Sequence, residues 1–138
     1  MYLLDTNVVS ELRRSNPHGA VLAWLESVPA EHLFLSAVTL AELQAGVELT
    51  REQDKERAKA IEEWIDQIAQ SWNVLSMDGV TFRMWARLRH RRSGQLAEDA
   101  MIAATATVHN LTVVTRNIRD FQPFGVKTLD PFKTPRVS

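Results

Sequence analysis

The sequence contains no cysteine. Disulfide frameworks, thiolate zinc sites and cysteine nucleophiles are excluded together, and the chain suits a reducing compartment. No apolar run approaches the roughly 20 residues needed to cross a bilayer. The opening Met1-Tyr-Leu-Leu-Asp5 has no basic segment ahead of its apolar one, so no secretory leader is expected. These features predict a soluble, cytoplasmic protein without membrane contact. A large charge of one sign is also missing, since 16 Lys and Arg stand against 17 Asp and Glu. The overall field therefore does not favour polyanions, and any phosphate contact has to come from a local patch. The few histidines, His18, His32, His90 and His109, share no ligand spacing and read as surface or core residues.

What is present suffices for one core. The chain has 138 residues, 45% of them hydrophobic, which is a single-domain length that needs no covalent staples. We expect one domain over 1–132 and a loose tail over 133–138.

Short apolar runs alternate with helical patterns. Tyr2–Leu4, His32–Leu35, Asn73–Leu75, Leu111–Thr115 and Val126–Leu129 read as strands. Asn7–Arg13 reads as a turn or two of helix, and Pro17–Val28 carries Val21, Trp24, Leu25 and Val28 at helical spacing. Ser36 or Thr39 caps a helix holding Leu40, Leu43 and Val47. The spacing of Ala58, Ile61, Ile65, Ile68 and Trp72 predicts the longest helix, over Arg51–Trp72. Asp78 caps a further helix with Val80, Met84, Trp85 and Leu88 facing inward, broken at Ser93-Gly94. Ala97–Asn110 is almost free of charge after Asp99, as befits a helix buried nearly all round. This alternation predicts an α/β fold, a parallel sheet of about five short strands with helices on both faces.

Such a sheet binds ligands beyond the carboxyl ends of its strands. Asp5 ends the first strand. Glu42 lies early in the helix after the second. Asp99 lies at the start of the helix that leads into the fourth, and Asn117 and Asp120 follow that strand at once. The topology therefore gathers these scattered residues at one edge. Carboxylates so crowded repel one another unless protons or cations neutralise them. Hard oxygen donors suit Mg²⁺ or Mn²⁺, and a site without His or Cys argues against zinc. Each acid also has a plainer reading. Asp5 suits a helix N-cap. Thr39-Leu-Ala-Glu42 fits a capping box. Glu98 and Asp99 complement a helix dipole, and Asp120 suits a turn. Spacing alone leaves both readings open.

Four segments then carry a resemblance. Met1-Tyr-Leu-Leu-Asp5-Thr-Asn-Val-Val-Ser-Glu11, Ser36-Ala-Val-Thr-Leu-Ala-Glu42-Leu, Glu98-Asp99-Ala-Met-Ile-Ala-Ala-Thr-Ala and Thr115-Arg-Asn117-Ile-Arg-Asp120-Phe121 resemble, in order, the motifs of PIN-domain ribonuclease toxins of the VapC family, in particular its FitB-like branch. The resemblance spans Met1 to about Phe132. It implies a PIN fold and an endoribonuclease that needs one or two Mg²⁺ or Mn²⁺ ions, with Asp5, Glu42 and Asp99 as metal ligands. Asn117 stands where many PIN domains carry a fourth acid, and Asp120 or Asn117 would orient water or a second ion. Thr6 and Thr115 are candidates for hydrogen bonds that fix the carboxylates. The implied partners are an RNA substrate, with transfer RNA the commonest theme of the family, a VapB-type antitoxin, and a second copy in a homodimer and a toxin–antitoxin hetero-oligomer. The alternative is a non-catalytic binding module on a PIN scaffold.

Arg83, Arg87, Arg89, His90, Arg91 and Arg92 form the densest basic cluster. Arg87, Arg91 and Arg92, with Arg116 beside the acids, are the candidates for RNA phosphates. A solvated helix end is the equally weighted reading of the cluster. The four tryptophans fall on apolar stripes and read as core. A phosphohydrolase using Asp5 as nucleophile would need a second Asp two residues on, where Asn7 stands.

Overall fold

Five parallel strands, β1 (Tyr2–Leu4), β2 (Leu33–Ser36), β3 (Asn73–Leu75), β4 (Thr112–Val114) and β5 (Thr128–Leu129), form one sheet in the order β3-β2-β1-β4-β5. The computed structural model describes residues 1–92 and 97–133. The register aligns Leu3 with Phe34 on β2 and with Val113 on β4. Side chains alternate across the sheet. Leu3, Phe34 and Val113 therefore join the core on one face, and Leu4, Leu35 and Val114 the core on the other. Leu3, Leu4, Leu35, Val113 and Val114 are all fully buried. Burial of each such side chain contributes about 1.5–3 kcal/mol.

Helices cover both faces. α1 (Thr6–Glu11), α2 (Gly19–Glu26) and α4 (Lys55–Ser71) supply Val8, Val9, Val21 and Ile68 to one core. α3 (Ala37–Arg51), α5 (Gly79–Arg89) and α6 (Ala97–His109) supply Val38, Trp85, Leu88 and the alanine-rich face of α6 to the other. Ala100, Ala103, Ala104 and Ala106 are buried, as are Ile102 and Thr105. Small side chains let this helix lie close on the sheet. A single helical turn, α7 (Ile118–Phe121), follows β4 and ends in fully buried Phe121. Among the described residues no helix is long and apolar enough to cross a membrane.

The architecture agrees with the expected one, and several local readings change. Arg51 belongs to α3. The chain then turns, and Asp54 caps α4 by accepting from the Arg57 N–H at 3.0 Å, so the long helix begins at Lys55 and ends at Ser71. Two stripes at the same spacing, packed on each other through Val47, Ala58 and Ile65, read as one longer pattern. Ser36, not Thr39, caps α3, by accepting from the Val38 N–H at 3.1 Å. Val80 does not face inward; it is 63% exposed in the first turn of α5. β5 has two residues where four were expected. The helix break at Ser93-Gly94 and, apart from Lys133, the tail lie outside the described residues.

Candidate active site

The strand order reverses direction between β1 and β4, and both strands end at the same edge. In parallel sheets that crevice is where ligands bind. Asp5 leaves β1 there, and Thr115 leaves β4.

Asp5 is buried at 6% exposure and serves as N-cap of α1, accepting from the Thr6 N–H on Oδ1 at 2.8 Å. Its other oxygen, Oδ2, accepts from the Thr115 hydroxyl at 2.8 Å and from the Asn7 amide at 3.2 Å. The cap and the site are thus one residue. The plainer reading of Asp5 is correct for Oδ1, while Oδ2 is bonded by Thr115 and Asn7.

Glu42 comes from the second turn of α3. No backbone N–H of the helix start is its partner, so the capping-box reading fails. Its Oε1 accepts from the Thr6 hydroxyl at 2.9 Å, and that hydroxyl stands 3.2 Å from the hydroxyl of fully buried Thr39. A capping box needs its Ser or Thr outside the helix, whereas Thr39 lies inside α3. Thr6 and Thr115 thus each donate a hydrogen bond to one of these carboxylates.

Asp99 enters from the first turn of α6, half-buried, and its carboxyl is pushed up to about 7. Burial is the largest cause; the charges of Asp5, Asp120, Glu42 and Glu98 follow. Burial also raises Asp5 above the usual carboxylate range, against its hydrogen bonds and with help from Asp120. Glu42 is raised by burial and by the charges of Asp5 and Glu98, against the Thr6 bond. Like charges disfavour ionisation when close, so this mutual influence places Asp5, Glu42, Asp99 and Asp120 in one electrostatic neighbourhood. Among the described residues none of these four forms an ion pair. Nor do three acids or histidines stand as a ready-made cage for one ion among those residues.

Two contributors were missed by sequence reasoning. Glu98 adds charge from an exposed position. Asn7 bonds Asp5, the Thr115 hydroxyl at 3.3 Å and, through Oδ1, the Arg116 N–H at 3.2 Å. Its place two residues after Asp5, on the first turn of a capped helix, was the available signal. Asn117 is the N-cap residue of α7 but makes no side-chain cap bond; its N–H donates to the Thr115 hydroxyl at 3.0 Å.

The basic cluster lies at the end of α5, which packs along α6. Arg87 and Arg91 are exposed, the latter with a left-handed φ of 62°. Arg92 donates from Nε to the Leu88 carbonyl at 3.1 Å and lies over the Phe124 ring. Arg89 covers Trp85 at 4.6 Å, so this tryptophan is half-buried and carries a cation on its face. The Arg116 guanidinium lies over the Phe132 ring.

A crevice of oxygen donors at the switch point of a five-stranded parallel sheet is the layout of a PIN domain, and residues 2–125 match the PIN domain family model. The chain belongs to that family. It is 37% identical over 138 residues to Toxin FitB of Neisseria gonorrhoeae, covering 96% of this chain and 99% of the relative. It is 35% identical to VapC ribonuclease Y4jK of Sinorhizobium fredii, again over 96% and 99%. The crystal structure of FitAcB from Neisseria gonorrhoeae superposes with a TM-score of 0.82 at 35% identity, covering 97% of this chain and 100% of that one.

Proposed function

We propose that this protein is a divalent-metal-dependent endoribonuclease, the toxin of a toxin–antitoxin pair. The observation that carries the reading is the gathering of Asp5, Glu42, Asp99 and Asp120 beside the β1–β4 switch point, where no cation of the described chain pairs with them. Relatives named as a ribonuclease and a toxin support it.

The donors fit the metal. All are hard oxygens, with no sulfur or imidazole among them, as suits Mg²⁺ or Mn²⁺. Asp5, Glu42 and Asp99 would hold it. A bound ion supplies Lewis-acid polarisation of the phosphodiester. The chain's own residues do the rest. Thr115 and Asn7 hold Oδ2 of Asp5 in place, and Thr6 holds Glu42. Asp120 and Asn117 orient the attacking water. Water adds to phosphorus and gives up a proton to solvent, the bond to the leaving ribose oxygen breaks, and that oxygen takes up a proton from solvent in exchange. Partners in keeping with this reading are RNA, a neutralising antitoxin protein and a second copy of the chain.

The test is RNA cleavage by purified protein with Mg²⁺ or Mn²⁺, beside growth on induced expression. Wild type is expected to cut RNA and arrest growth, and Asp5→Asn to do neither. If both are inert and harmless with metal present, the enzyme reading fails and a non-catalytic binding module on the same scaffold stands in its place.

A further inference from the structure

Arg116 adjoins the acids in sequence yet pairs with none of them. It follows Thr115, whose hydroxyl bonds Asp5, and its own N–H donates to Asn7, which also bonds Asp5. The guanidinium carbon lies 4.1 Å from the centre of the Phe132 ring. Phe132 is fixed in turn. Its N–H donates to Oδ1 of Asp130 at 2.9 Å, its ring meets His18 edge-on at 5.2 Å, and it packs on the core beneath β1 and α2.

An arginine free to swing beside four carboxylates would fold onto them and take the place of a divalent ion. One stacked on an aromatic face keeps its N–H edge open to a phosphate, for which its fork geometry is suited. The space beside it has the matching chemistry. Arg116, Arg119 and Lys133 line a cleft of about 410 Å³ that also takes in Asn117 and two acids, Asp120 and Asp130. The cleft thus borders the candidate site at Asp120 and Asn117 and carries three cations against two acids.

We propose that Arg116, held in position by Phe132, binds an RNA backbone phosphate next to the scissile one, with Arg119 and Lys133 as further phosphate contacts in the same cleft. The proposal rests on the nuclease reading for its substrate.

The test is binding of a fluorescein-labelled single-stranded oligoribonucleotide to Asp5→Asn protein across a salt series. Adding Arg116→Ala should weaken binding about tenfold, as for a lost charge-assisted contact. It should also make the dependence on log salt shallower by about one, as for one lost phosphate contact. Arg116→Lys should keep that slope. Phe132→Leu, which preserves packing, should weaken binding less and reduce the cost of adding Arg116→Ala. Unchanged affinity and slope in Arg116→Ala overturns the proposal, as does weaker binding at unchanged slope or no RNA binding by any variant. Cleavage separates the two claims. If Arg116-dependent binding occurs but wild type cuts no RNA, the nuclease reading falls and the phosphate contact stands. If wild type cuts and Arg116→Ala binds and cuts as well, only the phosphate contact falls.

Discussion

The hydroxyl of Thr115 donates to Oδ2 of Asp5 at 2.8 Å, tying the residue after β4 to the cap of α1 across 110 positions of sequence. The same hydroxyl accepts from the Asn117 N–H at 3.0 Å. One side chain therefore bonds both the carboxylate proposed to hold metal and the loop that carries Asp120. Thr115→Val is expected to lower metal affinity roughly 10–100-fold, the usual effect of losing such a support. Thr115→Ser should recover most of it. Calorimetric Mn²⁺ titration of the three proteins checks both.

The carboxylate cluster makes metal-free stability fall with rising pH. Asp99 has a folded-state value of about 7 against an ordinary 3.8, so between these values the folded chain holds the extra proton. Stability then declines as pH rises from about 4 to 7 and levels off above. Asp5 and Glu42, also raised, act in the same direction. Melting temperatures in chelator across that range should show the decline, and millimolar Mn²⁺ should raise the melting temperature more above pH 7 than at pH 5. A metal-free curve that rises through the window would contradict the crowding of these acids.

Asp99→Asn removes a charge whose neighbours oppose it. In chelator above pH 7 the variant should melt a few degrees higher than wild type, while RNA cleavage falls by at least roughly 100-fold. Thermal melts and cleavage assays on one preparation measure the two effects together.

Phe121 is fully buried directly after Asp120 and fills the core beneath α6. Truncation to Ala should cost about 3–5 kcal/mol, read as a shifted midpoint in urea unfolding.

Much of this arrangement was legible in the sequence because strand runs are bounded by polar residues and parallel topology sends those residues to one edge. Asp5, Glu42, Asp99 and Asp120 were expected at one edge that way, and their charges do act on one another. Hydrogen-bond partners were less legible. Thr39-Leu-Ala-Glu42 has the spacing of a capping box, and only the placement of α1 beside α3 shows that Thr6 takes Glu42 instead. Periodicity also merged the end of α3 with α4, since the turn at Asp54 contains neither Gly nor Pro. Phe132 gave no local sign of its role. Its meeting with Arg116 depends on β5 lying beside β4, a tertiary relation.

The central claim is that Asp5, Glu42 and Asp99 together hold a divalent cation. Calorimetric titration of wild-type protein with Mn²⁺ just above pH 7, repeated in buffers of different ionisation heat, tests it most directly. Saturable binding with release of protons is expected, because part of Asp99 must ionise, together with loss of that binding in Asp5→Asn and Asp99→Asn. Absence of Mn²⁺ binding by folded wild-type protein, or equal binding by the two variants, would contradict it.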